Sequence, residues 1–297
     1  MRSRQALMWQ TMGDKPHKQE PHMTDQTIRF DDGAAYERFM GVWSQLAGAA
    51  FLDWLAPPLG ESWLDVGCGN GAFSEMIVQR LAPTAVDGID PSEAQIAFAQ
   101  ARAGTRMVSF RQGDAMALSY ANASFDHALM ALVIFFVPVP ATGVAEMVRV
   151  TRPGGSVSAY AWDIPGGGFP YAHLWDALRE QGKTPLLPPQ AAVSSREALH
   201  GLWAGAGLLD VETTSITVQR TFTDFDDLWA TTLMGPIVAP TLAGMSPTQV
   251  LAIQDYLRAR LPTNAQGQIV YTARANAVKG VVAWLQNQSA GTRKSAE

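Results

Sequence analysis

Three glycines at alternate positions follow a short apolar segment that contains an acidic residue. Residues 64–73 read LDVGCGNGAF, with Gly67, Gly69 and Gly71 in the loop. A glycine-rich turn between a strand and a helix presents backbone N–H groups to a ligand, because no side chain blocks the approach. Asp90 ends the next predicted strand, where a carboxylate can accept hydrogen bonds from both hydroxyls of a ribose. The pattern therefore indicates a ligand that contains a nucleoside.

The loop alone leaves two classes of cofactor open. Counted from Gly67, it also satisfies the G-x-G-x-x-G/A pattern of enzymes that bind nicotinamide dinucleotides. Asp65 lies two residues before that glycine, where a negative charge is unfavourable beside a pyrophosphate but suits a ligand with an ammonium and a sulfonium group. After the third predicted strand, Asp114 and the backbone N–H of Ala115 can bind an adenine ring. Together with a last strand that no helix needs to follow, these features favour S-adenosylmethionine over a nicotinamide cofactor.

Alternating strands and helices are predicted to position these residues. Strands are predicted at 62–66, 85–89, 107–114, 125–136, 156–162, 208–220 and 267–280. Helices are predicted within 71–82, 91–103 and 141–151, between the first strands. This βαβ succession predicts the α/β class, with a doubly wound parallel sheet and helices on both of its faces.

Composition and charge argue against several other classes of protein. The net charge of −5, without a basic stripe, argues against a protein that binds nucleic acid. Cys68 is the single cysteine, which excludes an internal disulfide framework, fits a reducing cytoplasm and makes a metal site improbable. No apolar run approaches the roughly 20 residues of a membrane span. Arg2 and Arg4 are not followed by the apolar segment of a secretory signal, and Met1 and Met23 are both candidate start residues.

The motifs, in this order, resemble the class I S-adenosylmethionine-dependent methyltransferases of the type 11 group, which includes quinone-biosynthesis methyltransferases. The matching segments are YERFMGVWS (36–44), LDVGCGNGAF (64–73), VDGIDPSEAQIAFAQAR (86–102), FRQGDAMAL (110–118), SFDHALMALVIFFV (124–137) and EMVRVTRPGG (146–155). The resemblance is strong over residues 34–163 and loose over the remainder. It implies a Rossmann-like, mainly parallel sheet of seven strands in which the last strand is antiparallel. The motifs are specific for fold and cofactor, and they leave the methyl acceptor open.

The resemblance implies that S-adenosylmethionine lies along the first four strands, beneath an N-terminal helix. Its methionine half would lie on the glycine loop, its ribose at the second strand, its adenine at the third and its sulfonium beside the fourth. The implied residues, beginning with two from the N-terminal helix, are Tyr36, Trp43, Asp65, Gly67, Gly69, Gly71, Asp90, Ser92, Ile89, Asp114, Ala115, Met116, Ala131 and Leu132. Relatives often carry arginine at position 42, and Val42 removes any contact that an arginine would make there.

The methyl acceptor is expected outside the carboxyl ends of the fourth and fifth strands. The predicted walls of its pocket are aromatic: Phe135, Phe136, Trp162, Phe169, Tyr171 and Trp175. Such a pocket suits a small or medium apolar or aromatic molecule, and it does not select between O-, N-, S- and C-methylation. Asp163 and His173 are the candidates for a general base, which is needed only if the acceptor still carries its proton in the transition state.

We predict an enzyme with one core domain and an inserted helical cap. The predicted parts are a disordered tail at 1–24, a cofactor-binding core at 25–162, the inserted cap and a helix at 163–207, strands and helices that complete the sheet and acceptor pocket at 208–285, and a flexible tail at 286–297. Within the cap, residues 163–190 are expected to form a lid over the acceptor. We expect a cytoplasmic monomer or homodimer that transfers a methyl group by in-line displacement to a small molecule. The alternatives are a nicotinamide-dependent oxidoreductase and a non-catalytic cofactor-binding module with the same fold.

Overall fold

The protein folds around a twisted sheet of seven strands. The computed structural model describes residues 37–236 and 238–284, so both predicted tails and Tyr36 lie outside the described residues. The strands are β1 (Ser62–Val66), β2 (Ala85–Asp90), β3 (Val108–Gln112), β4 (Phe125–Ala131), β5 (Thr151–Trp162), β6 (Leu209–Phe222) and β7 (Ile269–Val281). Their order in the sheet is β3-β2-β1-β4-β5-β7-β6. The first five strands are parallel, and β7 runs antiparallel to both of its neighbours. The predicted doubly wound, mainly parallel fold with an antiparallel last strand is confirmed.

Helices connect the strands and cover the sheet. They are α1 (Val42–Leu55), α2 (Ala72–Leu81), α3 (Glu93–Ala101), α4 (Pro140–Val150), α5 (Ala172–Glu180), α6 (Arg196–Gly205), α7 (Phe225–Leu233), α8 (Val238–Ala243) and α9 (Pro247–Arg260), and a π-helical turn (Glu37–Gly41) precedes α1. Serine hydroxyls cap several helices: Ser92 accepts a hydrogen bond from the Gln95 N–H, and Ser195 accepts one from the Ala198 N–H. In the part of the chain that the structure describes, no helix combines the length and the apolarity needed to cross a membrane.

The central strands are buried on both faces, as parallel strands between two helical layers should be. Residues 125–130 of β4 are all buried. The apolar sequence predicted a strand as far as Phe136, and this was wrong beyond Ala131. Leu132 has a φ of +62°, its N–H donates to the Tyr160 carbonyl, and residues 134–136 form a 3₁₀ turn. A buried turn needs the same apolar side chains as a buried strand, so hydrophobicity could not locate the end of β4.

The two helices of the predicted segment 163–207 pack against different parts of the molecule. Helix α5 lies at the carboxyl edge of the parallel strands, where it lines a cavity. Helix α6 packs on β6 and β7. Trp203 of α6 is fully buried, and its indole N–H donates to the Val157 carbonyl at 2.9 Å. Helix α6 is therefore a crossover helix of the core, and only the part that contains α5 lies over the ends of the strands.

We predict that Trp203→Ala lowers the free energy of unfolding by about 3–5 kcal/mol, because it removes a fully buried indole and its hydrogen bond. Trp284→Ala is the matched control, since that side chain is 72% exposed, and it should change stability by about 0.5 kcal/mol or less. Urea unfolding of both variants measures the two effects. Equal losses would show that α6 does not anchor this face of the sheet.

Candidate functional site

A cavity of about 1210 Å³ lies at the carboxyl ends of β1, β2, β4 and β5. The glycine loop after β1 and the start of α3 border one end, which we call the donor end. Aromatic residues near the ends of β4 and β5 and from α5, together with the segment 183–189, border the other, the acceptor end. The turn Glu37–Gly41 and the start of α1 also line it. Since pockets for single ligands measure about 300–1,000 Å³, the cavity has room for two molecules.

Gly67 and Gly69 are glycines for different structural reasons. Gly67 has a φ of +77°, and a Cβ atom there would lie 2.5 Å from the Val133 side chain. Gly69 has a φ of +52°, and a Cβ atom there would meet nothing within 4 Å. Gly67 therefore permits close packing against the turn after β4. Gly69 presents bare backbone to the open cavity, as a loop that binds a ligand through its backbone must do.

The Asp90 carboxylate ties the glycine loop to the neighbouring strand. One oxygen accepts the Gly69 N–H at 3.0 Å, and the other accepts the Ser92 N–H at 2.9 Å. Burial raises the pKa of Asp90, while these two hydrogen bonds act in the opposite direction. Asp90 and Ser92 both line the cavity, so the carboxylate supports the loop and also borders the ligand space.

Asp65 lies behind the glycine loop and is fully buried. Its Oδ2 accepts the Ser74 hydroxyl at 2.6 Å, whereas its Oδ1 has no hydrogen-bond partner among the described residues. Burial raises the pKa of Asp65 to about 7, with a smaller contribution in the same direction from the Asp90 charge. A buried carboxylate oxygen without a donor is costly, and it would be stabilised by a cationic group close to the loop.

The residues predicted to bind adenine form a turn beside the cavity. Asp114 is exposed, and its side chain accepts the Met116 N–H at 2.8 Å, so it caps its own turn. A Cβ atom at Gly113 would lie 2.3 Å from Ile89, which packs beneath this turn. The residues that line the cavity do not include Ile89, Asp114, Ala115 or Met116. Their predicted contact with adenine stays a prediction.

Twelve of the residues predicted from the sequence line the same cavity. At the donor end and at the end of β4 they are Gly67, Gly69, Asp90, Ser92, Ala131 and Leu132. At the acceptor end they are Phe135, Phe136, Trp162, Phe169, Tyr171 and Trp175. Trp43, Asp65 and Gly71 are placed behind this lining. The structure thus brings the two predicted groups into one space.

Stacked aromatic pairs shape the acceptor end. Phe169 and Trp175 stack with ring centroids 4.2 Å apart, and Tyr171 stacks on Phe39 at the same distance. The Tyr171 hydroxyl donates to the Phe39 carbonyl at 2.8 Å. Burial raises the pKa of Tyr171 well above its ordinary value, so this side chain remains a neutral donor. The pair attaches the turn before α1 to α5 across the cavity.

The two candidates for a general base lie outside the cavity lining. The Asp163 carboxylate accepts hydrogen bonds from the Arg274 Nε–H at 2.8 Å and the Gly166 N–H at 3.0 Å. His173 is on α5, with its ring edge-on to Tyr271. It borders a separate small space together with Leu228 and Leu257. Their predicted role in proton transfer therefore stays a prediction, and the geometry does not support it.

Sequence reasoning missed several residues that line the cavity. Ser44 and Asn70 lie inside quoted motifs, and the polar side chain of Asn70 between two glycines was a usable signal. Other lining residues reach the cavity through long-range packing: Phe39, the segment 183–189, Gly235, Pro236, Val238 and Thr241. No local pattern in the sequence distinguishes them from ordinary core or loop residues.

Comparisons with known proteins identify a family. Residues 64–159 match the family model described as a methyltransferase domain. The chain is 32% identical over 187 residues to a demethylmenaquinone methyltransferase of Beutenbergia cavernae, a match that covers 60% of this chain and 73% of that protein. It is 34% identical over 110 residues to a ubiquinone/menaquinone biosynthesis C-methyltransferase of Roseobacter denitrificans, with 36% of this chain and 44% of that protein covered.

The fold is also found in solved structures. A phosphoethanolamine N-methyltransferase 2 of Haemonchus contortus, in complex with S-adenosyl-L-methionine, superposes with a TM-score of 0.54 at 19% identity. The superposition covers 88% of this chain and 59% of the Haemonchus chain. At this level of identity the likeness establishes the fold.

We predict that the free energy of unfolding of the Asp65→Asn variant increases relative to that of the wild type as the pH rises. The folded protein keeps the Asp65 proton to about pH 7, whereas the unfolded chain loses it near the ordinary aspartate pKa of 3.8. The folded state therefore binds more protons between these values, and this contribution to stability is lost as the pH rises through the folded pKa. From pH 5 to pH 8 the difference in unfolding free energy should move by about 2 kcal/mol in favour of the variant.

Urea unfolding of both proteins at the two pH values measures this change, since titrating groups that do not interact with Asp65 cancel in the difference. A difference that stays constant with pH would show that Asp65 is ionised throughout.

Proposed function

The chain belongs to the class I S-adenosylmethionine-dependent methyltransferases of the type 11 group, and we propose that it methylates a small or medium apolar or aromatic molecule inside the cavity. One observation carries the proposal: a single cavity holds the glycine loop and Asp90 at its donor end and six aromatic side chains at its acceptor end. The Beutenbergia relative is named for demethylmenaquinone, a quinone, which supports an aromatic acceptor. Membership of this family supports neither the nicotinamide-dependent alternative nor the non-catalytic one.

The donor end fits S-adenosylmethionine, which when bound supplies a methyl group activated by a positively charged sulfur. The buried Asp65 Oδ1 lacks a donor, and the amino group of the methionyl end would provide one. Gly69 leaves its backbone open to the ligand, and Asp90 can accept hydrogen bonds from a ribose. Ala131 and Leu132 line the cavity at the end of β4 and would border the reacting atoms.

We infer that the chain acts mainly by orientation and by exclusion of water. The turn before α1 and helix α5 are joined by the Phe39–Tyr171 pair, so the cavity has a wall that shields the reacting atoms. Holding two reactants in line can lower a barrier by roughly 7–11 kcal/mol in well-oriented reactions. Asp163 is paired with Arg274, and we therefore assign no proton transfer to it.

We predict that Asp90→Ala weakens the binding of S-adenosylhomocysteine by about 2 kcal/mol, or about thirtyfold in Kd, because charge-assisted hydrogen bonds to the ribose are lost. Asp87→Ala is the matched control, since Asp87 lies on the same strand, pairs with Arg111 and does not line the cavity. It should leave the Kd unchanged. Isothermal titration calorimetry measures both values. An unchanged Kd for Asp90→Ala together with a lowered melting temperature would make Asp90 purely structural.

We predict that Trp175→Ala raises the KM for the acceptor about tenfold, because part of the stacked aromatic wall is removed. The Kd for S-adenosylhomocysteine should not change, since Trp175 lies at the other end of the cavity. His173→Ala, on the same helix but outside the cavity lining, is the control and should change neither value.

The measurement is transfer of a labelled methyl group to a panel of phenols, quinols and small amines, with cofactor binding measured separately. Loss of cofactor binding in Trp175→Ala with acceptor kinetics intact would contradict the division of the cavity into two ends.

A further inference from the structure

One basic side chain lines the described cavity, and it belongs to the segment that borders the acceptor end. Lys183 is partly buried, and the described lining contains no arginine, no histidine and no second lysine. The acidic residues of this lining are Glu37, Asp90 and Glu93, of which Glu37 pairs with Arg102. Asp90 and Glu93 lie at the end of β2 and the start of α3, at the donor end. The acceptor end therefore has a positive charge that no acidic residue of the described lining balances.

Backbone hydrogen bonds at the end of α5 fix the position of Lys183. Gly182 has a φ of +70°, and the Lys183 N–H donates to the Leu178 carbonyl at 2.9 Å. A glycine in the left-handed region, followed by a hydrogen bond back to the last turn, is a common end of a helix. Leu178 lines the cavity one turn along α5 from Trp175. Lys183 is therefore attached to the part of α5 that borders the acceptor space.

The segment 183–189 is attached at its other end as well. The N–H of Gln190, the next residue, donates to the Phe135 carbonyl at 3.0 Å, and its side chain donates to the Pro138 carbonyl at 3.1 Å. Phe135 belongs to the aromatic wall near the end of β4. The segment thus runs from α5 to the turn after β4, and it holds Lys183 at the border of the acceptor end.

The ammonium group of Lys183 forms neither an ion pair nor a hydrogen bond with a described residue. The acidic residues of α5 pair with other side chains: Asp176 with Arg179 at 2.7 Å, and Glu180 with Arg260 at 3.8 Å. A molecule that covers Lys183 would remove water from its charge, which is costly unless the molecule offers a partner. A neutral apolar molecule offers none, whereas an anionic group does, and its attraction to the ammonium is stronger beside an apolar wall than in water.

We propose that the acceptor is an aromatic molecule that carries a negatively charged group, such as a carboxylate, and that Lys183 binds this group. This inference rests on the proposed function and narrows its class of substrate. The ring lies against the aromatic wall that includes Phe169 and Trp175, and the charged group pairs with the ammonium at the end of α5. Lys183 selects the acceptor and takes no part in the bonds that are made and broken.

The test compares aromatic acids with their neutral amides on protein saturated with S-adenosylhomocysteine. The probes are benzoate, benzamide, 2-naphthoate and 2-naphthamide, and NMR titrations at low ionic strength measure their Kd values. Each acid should bind the wild type about five- to tenfold more tightly than its amide, and added salt should reduce this preference. Lys183→Met keeps an apolar side chain without the charge, and it should bring the ratio close to one. Arg179→Met removes a positive charge from the same helix outside the described lining, and it should keep the preference.

Equal binding of acids and amides to the wild type, or a preference for acids that survives in Lys183→Met, would overturn the role of Lys183. The proposed transfer of a methyl group to an aromatic acceptor would still stand in both cases. If S-adenosylhomocysteine binds but none of the four probes does, the aromatic acceptor site itself is refuted, and this inference with it. Melting temperatures show whether the variants are folded, and Lys183→Gln takes the place of Lys183→Met if the latter does not fold.

Discussion

The donor end depends on the attachment of the glycine loop to β2 through the Asp90 carboxylate. The Gly69 N–H and the Ser92 N–H both donate to this carboxylate, so the loop after β1 and the start of the α3 segment share one anchor. The loop can follow this path only with positive φ values, and a side chain at Gly67 would collide with Val133. The loop that leads from β1 into α2 is therefore attached to β2.

A second set of contacts encloses the space that the loop borders. Arg102 pairs with Glu75 of α2 at 2.6 Å and also with Glu37 in the turn before α1. Tyr171, which directly precedes α5, stacks on Phe39 in the same turn and donates to its carbonyl. The turn Glu37–Gly41 is thus held by an ion pair at Glu37 and by an aromatic contact at Phe39. Under the proposed function, this arrangement would shield from water a methyl group that is transferred from one end of the cavity to the other.

Features set by local patterns could be predicted from the sequence. The glycine loop, Asp90 and the parallel strands follow from spacing and hydrophobicity, and so do the aromatic walls at the end of β4 and in α5. Contacts between distant residues could not be predicted. Arg274 lies 111 positions further along the chain than Asp163 and donates to its carboxylate, a contact that no local pattern in the sequence indicates. The turn from Leu132 to Phe136 could not be predicted either, because buried strands and buried turns are both made of apolar residues.

A crystal structure of the protein with S-adenosylhomocysteine is the most direct test of the claim that donor and acceptor share one cavity. The account predicts the amino acid end beside the glycine loop, the ribose at Asp90, and the sulfur close to Ala131 and Leu132. The space bordered by Phe169 and Trp175 would remain free for an acceptor. A ligand whose nucleoside fills that aromatic space, or whose sulfur is turned away from it, would contradict the account.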